Sequence, residues 1–124
     1  MPIIHASPIH SHEAGPTRFW QLAAPSTGST EASVWRVEVP ADTEPVEHEL
    51  TREEILVVLS GTARASLNGV VDEVAAGGAV VVPPHTPFSL SAAGPDSLVA
   101  LAYLPVGGQA VIGDQEPFTP PWTQ

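Results

Sequence analysis

Residues 48–61 read HELTREEILVVLSG, and this stretch decides the fold. A histidine and a glutamate, His48 and Glu54, precede an apolar run that ends at Gly61. If the backbone is extended throughout, alternate side chains lie on one face of the strand. The even-numbered residues that share this face are His48, Leu50, Glu54, Leu56 and Val58. A buried histidine and carboxyl group need partners, because an unpaired charge in an apolar interior is costly. The alternatives for these partners are the other residue of the pair, a metal ion, a ligand and water.

The segments around this stretch carry the pattern of an all-β protein. Apolar and polar residues alternate over 33–39, as in a half-buried strand. Asn68-Gly69 is typical of a tight hairpin turn, since both residues tolerate positive φ. Short strands with turns between them predict a sandwich or barrel. The strands are expected at 33–39, 54–60, 62–67, 70–74, 79–82, 88–91 and 97–104, with 54–60 central and covered on both faces because both are apolar.

Proline-rich segments flank these strands. Residues 1–32 are expected to be mostly extended arm and loop, with a short strand at 19–22. The segment from residue 105 onward is expected to be a tail in which prolines prevent a ladder strand. Phe118 and Trp122 are large and apolar, so they should anchor this tail on the barrel wall or on a partner subunit.

Composition excludes several classes of function. The chain has 124 residues, with 14 acidic against 4 basic residues and a net charge of −10, which argues against binding to nucleic acids or to anionic membranes. It has no lysine for a Schiff base and no cysteine for a thiolate site, so His, Asp and Glu are the ordinary metal ligands left. No signal peptide or transmembrane run is evident, and a cytoplasmic location is expected.

Two segments resemble the two sequence motifs of the cupin family. His48, Glu54 and Gly61 match the first motif, in which two histidines are followed by a glutamate and a glycine. Residues 77–88, GGAVVVPPHTPF, resemble the second motif. The resemblance implies the cupin double-stranded β-helix, an all-β jelly-roll barrel. The chain would then be a single domain, 1–124, with a core barrel at about 33–104, an extended N-terminal arm at 1–32 and a C-terminal tail at 105–124.

The resemblance also implies a divalent metal ion such as Fe, Mn, Ni or Zn, although half of the family's ligand set is replaced in this chain. The first histidine and the glutamate of the motif fall on His48 and Glu54, which are the implied metal ligands. The other two histidine positions hold Leu50 and Phe88. Without the metal, His48 and Glu54 would form a hydrogen-bonded pair with a water molecule.

Other histidines are weaker candidates for the missing ligands. His85 lies in the turn before the second-motif strand and is either an ordinary turn residue or a third metal ligand. His10 and His12 are either solvated residues of the arm or reach the site from it.

Three functions remain open from the sequence. The first is a small-molecule-binding barrel of unassigned activity, for an unidentified ligand. Its pocket is expected to be lined by Trp35, His48, Leu50, Glu54, Leu56 and Phe88. The second is a metal-dependent enzyme of the oxygenase or isomerase type, with Glu54 as a metal ligand or as the catalytic general base. The third is a non-catalytic dimerisation module without a cavity. The resemblance implies a homodimer.

Overall fold

The computed structural model describes residues 2–124, whose regular secondary structure is almost entirely β. The strands are β1 (His12–Ala14), β2 (Thr17–Ala23), β3 (Ala32–Val39), β4 (Glu49–Leu50), β5 (Glu54–Ser60), β6 (Thr62–Leu67), β7 (Val70–Ala75), β8 (Ala79–Val82), β9 (Phe88–Ala92), β10 (Leu98–Pro105) and β11 (Ala110–Val111). Single 3₁₀ turns lie at Pro25–Thr27 and Pro121–Thr123. The predicted all-β class is confirmed. Within residues 2–124, no helix is long and apolar enough to cross a membrane.

The strands form antiparallel sheets that share one hydrophobic core. A six-stranded sheet has the order β1-β2-β3-β10-β5-β8, a three-stranded sheet has the order β7-β6-β9, and β4 pairs with β11. Along β3 and β10 every second residue is buried, the period expected when one face of a strand meets the core. Side chains from both larger sheets meet in this core, including Trp35, Leu56, Val58, Ala63, Ala65 and Phe88.

Two glycine-containing turns fix the strand connections. Asn68 and Gly69 have φ of 51° and 78°, so the predicted hairpin turn joins β6 to β7. Gly61, which joins β5 to β6, has φ of 74°. A Cβ atom at this position would lie 2.4 Å from the backbone oxygen of Ser97, so the chain needs glycine there for space as well as for conformation.

The arm and the tail are more ordered than the sequence predicts. The predicted strand at 19–22 lies within β2, which pairs with β3 as a full member of the large sheet. A ladder strand does occur in the tail, contrary to the prediction, because Ala110 and Val111 lie in the proline-free segment between Pro105 and Pro117 and pair with β4. Phe118 then forms a two-way backbone bridge with Ala110, at 2.8 and 3.0 Å.

The end of the tail docks on its own barrel. Trp122 stacks on Phe19 with ring centroids 3.7 Å apart and planes 8° from parallel. The Ser33 hydroxyl donates to the backbone oxygen of Thr123 at 2.8 Å, and the Gln21 side-chain amide donates to that of Trp122 at 3.1 Å. Of the two docking sites predicted for Trp122, the structure therefore uses the barrel wall.

One face of β5 differs from the prediction. The strand is central in its sheet, between β10 and β8, as expected. It is not covered on both faces, because Val57 and Leu59 are 38% and 45% exposed while Leu56 and Val58 are buried. The sequence shows only that both faces of the strand carry apolar side chains. No described element of this chain covers the outer face.

Candidate functional site

A cavity of about 410 Å³ occupies the interior of the barrel, and the core strands and the tail together enclose it. Its inner wall comes from β3, β5 and β9, and its mouth is formed by the β1–β2 turn, residues 43–48 and the tail. The structure brings the six residues of the sequence-predicted pocket to this cavity. They are Trp35, His48, Leu50, Glu54, Leu56 and Phe88.

Glu54 opens β5 and is the buried acid of the cavity. Its backbone lies opposite Val82 of β8, and its side chain faces the interior with only 6% exposure. In the described part of the chain, no hydrogen bond or ion pair partner reaches its carboxyl group. Burial alone raises the pKa of Glu54 from 4.5 to about 8, because the charged form loses its hydration. Burial therefore favours the protonated form of Glu54 at neutral pH, and a protonated carboxyl group can donate as well as accept a hydrogen bond.

His48 lines the cavity from the segment before β4, where it is bridged to Phe88 of β9. Its backbone exchanges two 2.9 Å hydrogen bonds with Phe88, and its ring meets the Phe88 ring edge-on at 5.3 Å. Nδ1 lies 2.9 Å from the backbone oxygen of Val46. A carbonyl can only accept, so Nδ1 carries the hydrogen, and the neutral ring presents Nε2 as an acceptor.

His48 and Glu54 do not form the hydrogen-bonded pair that one reading of the sequence predicts. The reason is local: the backbone is not extended throughout, because residues 51–53 bend between β4 and β5. Glu54 consequently pairs with β8 in the large sheet, whereas His48 makes an isolated bridge to Phe88 of β9. Both still line the same cavity, so the Glu54 carboxyl group and Nε2 of His48 remain available to a third partner.

The side chains present do not fit the metal ion that the cupin resemblance implies. Leu50 and Phe88 are 3% and 2% exposed and put carbon where the motif has imidazoles. Over residues 2–124, no three His, Cys, Asp or Glu side chains come together in a way that could hold a metal ion. His48 and Glu54 supply two donors, whereas a catalytic zinc site and a non-haem iron site each use three.

The other candidate ligands lie elsewhere. His85 is exposed, has φ of 57° in the turn after β8, and does not line the cavity. His10 contacts Glu13 at 3.2 Å on the surface, and His12 pairs with Phe19 in β1. Neither of these arm residues lines the cavity.

The sequence did not reveal the aromatic wall that the tail completes. Phe19, Phe118 and Trp122 join Trp35 and Phe88 around the cavity. The Trp35 and Trp122 rings lie 6.5 Å apart at 59°, so they form a corner rather than a stack. The size and apolar character of Phe118 and Trp122 indicated that the tail would dock, but no local pattern indicated that it docks at the cavity.

Comparisons with known proteins agree on the fold. The family model described as a cupin domain matches residues 34–103. The chain is similar to an RmlC-like cupin from Shewanella frigidimarina, with a TM-score of 0.67 and 16% identity over 78% of this chain and 82% of that one. It is also similar to the cupin domain of Cnp3 from Schizosaccharomyces pombe, with a TM-score of 0.61 and 14% identity over 78% of this chain and 65% of that one.

A third similar structure is a salicylate 1,2-dioxygenase from Pseudaminobacter salicylatoxidans. The TM-score is 0.69 with 18% identity over 82% of this chain and 32% of that one, so the chain spans about a third of the dioxygenase. At these identities the likeness shows the fold alone. No curated protein matches the chain significantly.

Proposed function

The chain belongs to the cupin family, and from this premise we propose that it is a small-molecule-binding barrel whose site does not use the metal ligands of the family motif. The observation that carries the proposal is the cavity of about 410 Å³, within the range typical of small-ligand sites. Its wall is mostly apolar, and two polar groups without mutual contacts, Glu54 and His48, lie within it. This is the usual make-up of a ligand pocket, in which apolar walls supply affinity and a few polar groups fix orientation.

Related proteins make such a role reasonable for the fold. The salicylate 1,2-dioxygenase forms adducts with gentisate, so a protein with a similar barrel binds a small organic molecule. The cavity also argues against a purely structural module, since a barrel that served only to dimerise would gain stability by filling its interior. The metal-dependent oxygenase or isomerase alternative has less support, because Leu50 and Phe88 occupy two of the ligand positions.

A homodimer is the second part of the proposal. The outer face of β10, β5 and β8 carries no charged side chain in a molecule of net charge −10. The residues of this outer face are Ile55, Val57, Leu59, Ala79, Val81, Val99, Leu101 and Tyr103. A second copy would cover it without bringing like charges together, and exposed apolar patches of this kind are typical of protein interfaces. We also propose a cytoplasmic location for the protein, as the sequence predicts.

A thermal-shift screen of small aromatic and alicyclic molecules tests the binding function. A ligand that binds only the folded barrel raises the melting temperature by mass action. Hits should be lost in Leu90→Trp, which fills the cavity from β9, and kept in Val70→Trp, which adds the same ring at a position that is 70% exposed. The melting curves of both unliganded variants report whether they fold. A complete absence of hits, or hits that survive in folded Leu90→Trp, would contradict the proposal.

A further inference from the structure

The ionisable side chains that line the cavity are two acids and one histidine, without arginine or lysine. Glu54 and Glu44 line it, at the wall and at the exposed mouth respectively, whereas none of the four arginines does and the chain has no lysine. An anionic ligand would therefore be desolvated without a cation to compensate it, which is strongly unfavourable. The overall charge of −10 acts in the same direction, since it attracts cations to the mouth and repels anions.

Two side chains that line the cavity, His48 and Glu54, can accept hydrogen bonds from a ligand. Nε2 of His48 is an acceptor because Nδ1 is committed to the backbone oxygen of Val46 at 2.9 Å. Glu54 adds two carboxyl oxygens, and among residues 2–124 no side-chain donor reaches them. The Thr43 hydroxyl is a donor near the mouth, but it is already bonded to the backbone oxygen of Pro40 at 2.7 Å. A ligand that carries hydrogen-bond donors would be complementary to these two groups.

The apolar wall suits a cation as well as a hydrocarbon. Five aromatic residues line the cavity, and the Trp35 and Trp122 rings lie at 59° to each other, with one face of Trp122 covered by Phe19. Aromatic faces attract cations through their quadrupoles, and tryptophan does so most strongly. The wall can therefore hold either the body of a ligand or part of its positive charge.

We propose that the barrel binds a primary or secondary organic amine, held as an ammonium ion by Glu54 and by Nε2 of His48, with its apolar body against the aromatic wall. This inference rests on the proposed binding function and names its ligand class. An ammonium group carries several donors and no acceptor, so it matches two acceptors at once. Its positive charge would also favour the ionised form of Glu54, since a buried charge is tolerated only when it is paired and hydrogen-bonded. A neutral alcohol offers one donor and no charge.

Three probes of similar size and different charge test the proposal. They are 2-phenylethylamine, 2-phenylethanol and phenylacetate, titrated into the full chain at pH 7 by calorimetry. The amine should bind at least about 10-fold more tightly than the alcohol, the difference expected when a charge-assisted hydrogen bond is added. Phenylacetate should bind more weakly than either. These comparisons use the wild-type protein, so they do not depend on the folding of a variant.

Matched variants then locate the charge that selects the amine. Glu54→Gln should weaken amine binding by about 10-fold or more and leave the alcohol within about threefold. Glu53→Gln removes the same charge from the neighbouring exposed position and should change neither probe. Equal or tighter binding of the alcohol, or full amine affinity in Glu54→Gln, would overturn the amine proposal and leave the binding barrel standing. Silence of all three probes would overturn the amine proposal, and the thermal-shift screen would decide the binding function separately.

Discussion

Glu54→Gln keeps the shape of a buried side chain and removes its ionisable proton. The variant therefore isolates the contribution of this proton to the free energy of unfolding. Burial raises the pKa of Glu54 from 4.5 to about 8 in the folded protein. Below pH 4.5 the folded and unfolded states both bind the proton, and the group does not affect stability. Between pH 4.5 and about 8 the unfolded chain has lost a proton that the folded chain keeps. The free energy of unfolding of the wild type therefore falls by about 1.4 kcal/mol per pH unit in this window.

The total effect over this window is roughly 5 kcal/mol, which is as large as the whole stability of some small domains. Above about pH 8 the folded state also releases the proton, and the loss levels off. Glutamine has no proton to lose, so the variant should gain on the wild type as the pH rises. Urea denaturation of both proteins at pH 5, 6, 7, 8 and 9 measures the gain, and effects of the other titrating groups cancel in the difference.

The exposed neighbour Glu53 provides the control for this measurement. Glu53→Gln makes the same chemical change outside the core, so its difference from the wild type should stay nearly constant with pH. The stability difference between Glu54→Gln and the wild type could instead change by less than about 0.5 kcal/mol between pH 5 and 8, the size of an ordinary surface effect. That result would mean that the folded state does not raise the pKa of Glu54. The reasoning would also be refuted if the difference fell with rising pH, because that would mean that Glu54 is ionised and stabilising in the folded state.

Three further outcomes are expected. Val57→Glu on the outer face of β5 should convert a dimer to a monomer in sedimentation velocity, while Val70→Glu on β7 should not; a wild-type monomer would exclude the proposed dimer. Gly61→Ala should destabilise the fold by clearly more than Gly69→Ala. Both glycines have positive φ, but only the new Cβ at position 61 clashes, at 2.4 Å from the backbone oxygen of Ser97. Equal losses of stability in denaturant melts would mean that the clash relaxes. Untagged protein should carry far less than one equivalent of transition metal in elemental analysis, and a stoichiometric metal that His48→Ala removes would restore the metalloprotein alternative.

The parts of the fold that depend on local patterns could be predicted from the sequence. The alternation over β3 follows from one core-facing side, and the Asn68-Gly69 turn follows from the φ preferences of its residues. The outer face of β5 could not be predicted in the same way. An apolar side chain at Val57 indicates that this face is covered, but it does not distinguish a second sheet of the same chain from a second chain.

Features that depend on contacts between distant residues were missed. The tail reaches the cavity through pairs such as Gln21 and Trp122, which are 101 residues apart in the chain. His48 and Glu54 share a sequence parity, but the chain bends at 51–53 between them, and the hydrogen-bonded pair that was one of the open alternatives does not form. Their meeting at one cavity results from the folded barrel and not from the strand period.

The most direct test of the binding function is an intermolecular nuclear Overhauser measurement on methyl-labelled protein with a bound aromatic ligand. A ligand in the cavity should contact the methyl groups of Leu50, Leu56 and Leu90, which line it, and not those of Leu59 on the outer face. Contacts confined to Leu59 and its neighbours would contradict this prediction, because the ligand would then occupy the exposed face and the interior of the barrel would not be the binding site.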